Sequence, residues 1–362
     1  MIKSLYIHIP FCDNICSYCD FIKVYSSLFD RKKYLDLLIY EIEENNILDN
    51  SLETIYIGGG TPSCLKEEEI EYLLSYLHEH FNNFKEFTFE ANPESLTLSK
   101  IKILKKYKVN RISLGVETTS TDGLILLNRK HNNEMVRNVI SLLKENNITN
   151  INLDFIFGFP NQSISSLKKD LEFAIKEDVP HLSFYSLIIE NNTLLKVKNY
   201  HALDDEILAN MYDLINKTLN QNNINHYEVS NYCKKGYESI HNLTYWNDLN
   251  YYAVGVSASS YIDNKRIKNT SSLTSYLKGI NHKEIENIDL KSEKEEFTFL
   301  SFRLIKGLSI KEYKRRFNED FLNKYKVEIE KHKNELNINN DFISIKEEYF
   351  FIMDSIAIDF ID

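Results

Sequence analysis

The sequence has no long apolar run, no excess of positive charge and only five cysteines in 362 residues. No stretch approaches the roughly 20 apolar residues of a transmembrane helix, which argues against a membrane-spanning protein. Basic residues number 43 and acidic residues 53, so the net charge is −10. This balance disfavours nucleic acid as a main partner, because binding to phosphates relies on clustered lysine and arginine.

The cysteines are too unevenly placed for a disulfide scaffold. Three lie together near the start of the sequence, whereas Cys64 and Cys233 lie far from each other. Reduced thiols are therefore expected, as in cytoplasmic proteins. A signal peptide would also have to remove the segment that carries the three cysteines. We expect a soluble, cytoplasmic protein.

The clustered cysteines Cys12, Cys16 and Cys19 follow the first apolar segment in a C-x3-C-x2-C pattern. Thiolates favour iron–sulfur clusters or zinc, and a [4Fe-4S] cluster is usually held by four of them. Three thiolates leave the fourth iron open, and the amino and carboxylate groups of S-adenosylmethionine (SAM) can chelate an open iron. The pattern thus predicts a SAM-ligated [4Fe-4S] cluster. The alternatives are a zinc knuckle completed by a histidine and a chance cluster of buried cysteines.

Short β-branched and aromatic runs alternate with segments of helical period along most of the chain. The predicted strands lie near 4–9, 53–58, 86–91, 111–116, 150–157 and 181–188. The predicted helices lie near 30–46, 66–80, 98–107, 132–146, 164–177 and 204–222. Six βα units predict a parallel sheet with helices outside it. We expect an α/β fold, specifically an incomplete, open (β/α)6 TIM-type barrel, with chemistry at the carboxyl ends of the strands.

The pattern changes after about residue 230. Residues 231–262 are rich in Tyr, Asn and Ser, and the charged stretch 283–296 is typical of a linker. We therefore assign residues 1–230 to the barrel, 231–290 to a connector and 291–362 to a small α/β C-terminal domain with a short β element near 342–351.

A glycine-rich turn, Gly58-Gly-Gly-Thr-Pro-Ser63, follows the second predicted strand. Glycine lets the backbone approach a ligand closely and adopt positive φ. Pro62 suits the start of a helix, with Thr61 as its cap. The turn is either a tight strand–helix connection or, beside the cysteine loop, a site for the amino and carboxylate groups of SAM.

Charged residues stand at the ends of later strands. Glu90 ends the third, Glu117 ends the fourth, and Arg129 follows soon after. Asp154 interrupts an apolar run, where a charge is costly to bury unless it is paired or bound to a ligand. A carboxylate at the position of Glu90 can hydrogen-bond a ribose hydroxyl or the amino group of SAM. The alternative for Glu90 is a surface-loop acid.

These motifs resemble the radical SAM family of anaerobic coproporphyrinogen dehydrogenases and their relatives, and within it the heme-chaperone branch. The shared segments include Tyr-x-His-Ile-Pro-Phe-Cys, Gly-Gly-Gly-Thr-Pro-Ser, Phe-Glu-Ala-Asn-Pro, Asp-Phe-Ile-Phe-Gly-Phe-Pro and His241-Asn-Leu-Thr-Tyr-Trp246. The resemblance implies that Cys12, Cys16 and Cys19 hold the cluster. It also implies SAM contacts from Tyr6, Tyr18, Gly59, Gly60, Thr61, Glu90, Glu117, Arg129 and Asp154, although relatives usually carry Gln at the position of Glu117.

Two departures favour the chaperone branch. The dehydrogenase pattern has a further cysteine where this chain has Phe21, and it has an N-terminal arm that is absent before Cys12. The resemblance therefore implies a protein that binds heme and passes it to an acceptor, which we expect to be a respiratory enzyme at the membrane reached by peripheral association. The rivals are enzymes: oxygen-independent coproporphyrinogen III decarboxylation, or another radical SAM reaction on a tetrapyrrole.

His241 is the candidate heme ligand. It precedes Tyr245 and Trp246, and a porphyrin favours an axial imidazole beside flat apolar rings. The alternative is a loop histidine that is hydrogen-bonded to the backbone and followed by core aromatics.

Overall fold

The computed structural model describes residues 2–49, 52–81 and 83–361. Its centre is a sheet of six parallel strands in chain order. The strands are Ser4–Ile9 (β1), Thr54–Gly59 (β2), Glu86–Ala91 (β3), Arg111–Glu117 (β4), Asn150–Phe157 (β5) and His181–Ser186 (β6). The long helices that follow them are Arg31–Glu44 (α1), Glu67–His80 (α2), Leu98–Lys106 (α3), Asn133–Glu145 (α4), Ile164–Lys176 (α5) and Asp205–Gln221 (α6). The predicted order of six βα units is confirmed.

Three further strands extend the sheet beyond the six that the sequence predicted. Tyr252–Val254 pairs in parallel with β1, and Asn231–Cys233 pairs antiparallel with β6. Asn225–Glu228 forms the far edge. The two edge strands do not pair with each other in the part of the chain that the structure describes. The barrel is therefore open, as predicted.

Apolar and polar side chains alternate along the strands of the barrel. The apolar side chains form an outer layer, and the polar side chains face the interior. On β5, Ile151, Leu153 and Phe155 belong to the apolar core, whereas the intervening Asn152 and Asp154 make hydrogen bonds to neighbouring strands. Successive side chains of a strand point to opposite faces, so the outer set packs against the helices. Many barrels fill their interior with branched aliphatic side chains. Here polar groups occupy the interior and lead towards the carboxyl ends of the strands.

The charged stretch 283–296 is not a linker, so that prediction was wrong. Glu284–Asn287 is a strand of a three-stranded antiparallel sheet with Lys265–Lys268 and Ser259–Ile262. The helix Leu290–Phe302 begins directly afterwards. The reason is charge pairing across strands: Arg266 Nη1 lies 3.1 Å from Glu286 Oε2. A polar sequence can thus form an exposed edge strand.

The last part of the chain contains a small three-stranded sheet beside helices. Its strands are Leu308–Ser309, Leu336–Ile338 and Phe342–Ile345, so the predicted β element near 342–351 ends early, and a 3-10 helix, Glu347–Ile352, follows it. The remaining helices are Thr121–Leu126, Leu194–Val197, Ile240–Trp246, Leu273–Tyr276, Ile310–Phe317, Phe321–Lys324, Lys326–Lys331 and Met353–Ala357. Within the described ranges, none of the helices has the length and apolar character needed to cross a membrane.

Candidate functional site

The three clustered cysteines border one cavity of about 500 Å³ at the carboxyl ends of the strands, which we call the cysteine cavity. All three are free thiols; Cys12 is buried, and Cys16 and Cys19 are half-buried. Burial raises the pKa of Cys12 to about 11 and also raises that of Cys19. Both are therefore protonated near neutral pH until a cation such as iron binds.

The three thiols share their cavity with the polar residues that the sequence predicted for SAM. In the described ranges, no three His, Cys, Asp or Glu side chains are grouped closely enough to hold one metal ion. The same cavity is also bordered by Gly59, Gly60 and Thr61 and by the predicted polar residues Glu90, Glu117, Arg129 and Asp154. The lining residues therefore fit a multi-iron cluster with a polar ligand beside it.

Hydrogen bonds from distant segments hold the cysteine loop in place. The backbone N–H of Ser17 donates to Leu127 O at 3.0 Å, and Asn128 Nδ2 donates to Ile15 O at 2.8 Å. The backbone N–H of Leu195 donates to Ser17 O at 3.1 Å. The loop is thus preorganised by the barrel around it.

The glycine-rich turn packs directly on the cysteine loop. The backbone N–H groups of Gly60 and Thr61 donate to Ile9 O and Phe11 O, both at 2.8 Å. Gly59 has φ +116°, and a Cβ on Gly60 would lie 2.8 Å from Phe11 O. Thr61 does not cap the following 3-10 helix with its side chain, because its hydroxyl lies 3.5 Å from Cys12 Sγ as a donor instead.

Glu90 joins the turn to the barrel interior. Its Oε2 accepts from the Gly59 N–H at 3.0 Å, and its Oε1 accepts from Tyr56 Oη at 2.7 Å. Burial raises the pKa of Glu90 to about 7. A Cβ on Gly58 would lie 2.7 Å from the carboxyl carbon of Glu90, so only glycine leaves room for this acid.

Arg129 connects the acids to the cysteine loop. Its Nη2 donates to Asn92 Oδ1 at 2.9 Å and to Gly115 O at 2.8 Å, and its Nη1 lies 3.5 Å from both Cys16 Sγ and Glu117 Oε1. Its Nε is buried with no hydrogen-bond partner in the described structure. A buried donor beside the cavity favours a ligand that accepts hydrogen bonds.

A bulge places Glu117 in the cavity. The register between β4 and β5 shifts between Gly115 and Glu117, and Glu117 has φ +61°. Burial raises its pKa to about 7, although the Arg129 guanidinium opposes this shift. Tyr18, which also borders the cavity, faces this carboxyl group.

Asp154 belongs to a buried network that the sequence did not predict. Ser113 Oγ donates to Asp154 Oδ2 at 2.7 Å, and Asn152 Nδ2 donates to Asp154 Oδ1 at 2.8 Å. Asn152 Oδ1 lies 2.7 Å from His181 Nδ1, and His181 Nε2 lies 2.8 Å from Tyr227 Oη. The network orients the Asp154 carboxylate. Period-two spacing on the strands was the signal that could have revealed these interior residues.

Tyr6 does not border the cysteine cavity. It lines an adjacent slot of about 260 Å³ together with Tyr245, and its hydroxyl lies 3.0 Å from His8 Nδ1. The other predicted SAM-contacting residues do border the cysteine cavity.

His241 lies at the opposite end of the strands from the cysteine loop. Its Nδ1 is 2.8 Å from Thr54 Oγ1, at the start of β2, and its Nε2 is 2.8 Å from Tyr245 Oη. The residue is 1% exposed, and burial lowers its pKa to about 3. Heme ligation by His241 stays a prediction. Both ring nitrogens are engaged by side-chain hydroxyls, and the residue lies on the helix Ile240–Trp246, so the alternative of a loop histidine bonded to the backbone is wrong.

Comparisons with known proteins show what the chain is similar to. A family profile described as the Radical SAM superfamily matches residues 6–174. The heme chaperone HemW of Lactococcus lactis is 38% identical over 348 residues, which cover 94% of this chain and 91% of that protein. The heme chaperone HemW of Bacillus subtilis is 36% identical over 334 residues, which cover 88% and 87%.

The fold also matches a solved structure, coproporphyrinogen III oxidase (HemN) from Escherichia coli. The TM-score is 0.85 at 19% identity, over 99% of this chain and 90% of that chain. At this identity the match shows the fold alone. The radical SAM match implies a [4Fe-4S] cluster and SAM, and the matched range contains the predicted ligands of both. From its similarity to the two HemW proteins over most of its length, the chain belongs to the HemW family of the radical SAM superfamily.

Proposed function

We propose that this protein is a cytoplasmic heme chaperone that binds heme and delivers it to an acceptor protein. The observation that carries the proposal is the similarity to a heme chaperone over 94% of this chain and 91% of the relative. Similarity of this extent includes the segments outside the radical SAM match, which ends at residue 174. A heme-containing respiratory enzyme at the membrane, reached by peripheral association, is the acceptor that we propose.

The cysteine cavity is the proposed cofactor site. Cys12, Cys16 and Cys19 would hold the cluster, and the Gly59–Thr61 turn with the surrounding acids would bind SAM. When bound, the cluster supplies an electron and SAM supplies a cleavable sulfonium. The residues of the chain would orient the ligand and balance its positive charge with Glu90, Glu117 and Asp154.

The cluster assignment is tested by replacing the three cysteines together with alanine. We expect the anaerobically reconstituted variant to lose its iron and sulfide and the visible absorbance of the cluster. The matched control is the Cys64→Ala, Cys233→Ala double variant, because both residues are buried outside the cysteine cavity. Full iron content in the triple variant would contradict the assignment of the three cysteines as cluster ligands.

Oxygen-independent oxidation of coproporphyrinogen III is the second candidate. The observation in its favour is the fold shared with HemN. Against it, Phe21 stands where the dehydrogenase pattern carries a further cysteine. The two functions predict different outcomes for the same reconstituted protein.

The deciding experiment incubates the full chain, with cluster and SAM, separately with heme and with coproporphyrinogen III plus a reductant. A chaperone binds heme and transfers it to an apo-acceptor, and it leaves coproporphyrinogen III unchanged. Formation of protoporphyrinogen IX would restore the enzyme hypothesis.

A further inference from the structure

We propose that heme binds over Phe21, where three cavities meet beside the cysteine loop, and that His241 is not its ligand. We call this area the Phe21 surface and define it by Phe21, Lys23, Tyr185 and Ile188. The inference rests on the proposed heme-chaperone function and assigns a binding site to it.

Phe21 borders three separate depressions. They are the cysteine cavity, a groove of about 420 Å³ shared with Lys23 and Leu273, and the slot of about 260 Å³ that contains Tyr245. Although it borders all three, Phe21 is 70% exposed. Ile188 and Tyr185 also border the cysteine cavity, and they are 69% and 41% exposed. Exposed apolar side chains grouped at a cavity mouth are typical of a binding surface.

The cysteine cavity is too small to hold a porphyrin macrocycle in addition to the proposed cluster and SAM. A cavity of about 500 Å³ suits one ligand of ordinary size, and the proposed cluster and SAM already use it. A flat porphyrin would therefore cover the mouth, against the ring of Phe21. The neighbouring slot presents Tyr245 and Tyr251 on the other side of Phe21, and aromatic rings pack well against a planar ligand.

The charged residues around the cysteine cavity determine which way the heme propionates would point. The inner part of the cysteine cavity contains the acids Glu90, Glu117 and Asp154, which repel carboxylates. At the mouth, Lys23 borders both the cavity and the groove, next to the exposed Asp20, and its ammonium donates one hydrogen bond to the backbone oxygen of Cys19, which leaves two N–H groups for other acceptors. The propionates would therefore point outward, towards the Lys23 ammonium.

The Phe21 surface offers a weak rather than a strong axial ligand. Among the described residues that line the three depressions there is one histidine, His8, and it borders the slot of about 260 Å³. Its ring nitrogens are already engaged, 3.0 Å from Tyr6 Oη and 3.2 Å from Ile22 O. Heme would then be held mainly by contacts with its ring. A carrier that must release heme benefits from this, because no strong iron–imidazole bond has to be broken.

The test titrates the reconstituted full chain with hemin and follows its absorbance. We expect Phe21→Ala to weaken hemin binding by about tenfold or more, because an aromatic contact is lost. Phe21→Trp should retain binding. The matched control is Val327→Ala, since Val327 is 77% exposed on the helix Lys326–Lys331, which borders none of the three depressions. Iron content and SAM binding are measured in every variant, and hemin affinities are compared at equal cofactor loading.

His241→Gln provides a second readout. If the variant folds, its hemin spectrum should match that of the wild type. Wild-type hemin affinity in Phe21→Ala, an equal loss in Val327→Ala, or a shifted spectrum in His241→Gln would each overturn the Phe21 site while leaving the chaperone function standing. Failure of the wild-type protein to bind hemin would instead overturn the proposed function and this site with it.

Discussion

At the scale of single residues, the cysteine cavity concentrates buried acids that titrate near neutrality. Glu90 and Glu117 each have a pKa raised to about 7 by burial, and burial also raises that of Asp154. Carboxyl groups this close together cannot all ionise cheaply without a compensating cation. Arg129 supplies one positive charge, and the sulfonium of SAM would supply another.

Replacing Asp154 tests the polar network directly. We expect Asp154→Ala to weaken SAM binding by about tenfold or more, because a hydrogen bond to a charged group contributes about 1.5–3 kcal/mol. Calorimetry on the reconstituted protein measures the affinity, and iron content is the control. An unchanged affinity for SAM would show that the role of Asp154 is structural only.

The raised pKa values predict that SAM binding strengthens with pH. Below pH 7 the carboxyl groups of Glu90 and Glu117 are mostly protonated, so a cationic ligand must displace protons. For each group, affinity should be about tenfold weaker at pH 6 than at pH 8. Glu117→Gln removes one of the two groups and should flatten this dependence. An identical pH profile in the variant would exclude Glu117 from the titration.

At the scale of elements, the turn after β2 and the loop after β1 form one unit. The turn donates two backbone hydrogen bonds to the loop, and Gly60 lies against the backbone of Pro10 and Phe11. Parallel pairing of β1 with β2 brings both ends to the same edge of the sheet. The position of Cys12 therefore depends on a residue in a different βα unit.

Gly60→Ala should displace the cysteine loop from the glycine-rich turn without unfolding the barrel. The added Cβ would lie 2.8 Å from Phe11 O and 2.9 Å from Pro10 C, so the cysteine loop must move. We expect lower iron content and weaker SAM binding together. Gly236→Ala is the control, because its Cβ meets nothing within 4 Å even though φ is +88°. Normal cofactor loading in Gly60→Ala would show that the loop tolerates the shift.

At the scale of the whole molecule, a buried ion pair ties the helix Ile310–Phe317 to the segment after the helix Ile240–Trp246. Arg316 Nη1 lies 2.9 Å from Asp248 Oδ2, and Arg316 also donates to the backbone oxygens of Asn247 and Asp248, both at 3.1 Å. The two side chains are 14% and 3% exposed. This contact joins the C-terminal part of the chain to the end of the barrel opposite the cysteine loop.

Arg316→Leu should lower the free energy of unfolding by about 3 kcal/mol, because it leaves a buried carboxylate without its partner. Arg315→Leu is the matched control. Arg315 is 71% exposed in its ion pair with Glu312, so its loss should cost less than about 1 kcal/mol. Denaturant titration measures both, and equal effects of the two substitutions would contradict the argument.

Much of the fold and of the cofactor site could be predicted from the sequence, because the patterns that specify them lie within short segments of the chain. Cys12, Cys16 and Cys19 share one short loop, the glycine turn directly follows a strand, and hydrophobic periodicity marks each βα unit. Parallel strands in chain order then bring their carboxyl ends to one edge. The thiols, Glu90, Glu117, Arg129 and Asp154 meet in one cavity for this reason.

Only the tertiary structure decided the places of His241, Tyr6 and the interior network. Thr54 and His241 are 187 positions apart, yet their side chains are 2.8 Å apart. The motif His241–Trp246 tells which residues are present but not at which end of the barrel they lie. In the same way, the charged residues of 283–296 give no sign of the neighbouring strand with which they pair. Such contacts depend on the packing of distant segments, because a local pattern carries no information about the partner that each side chain meets after folding.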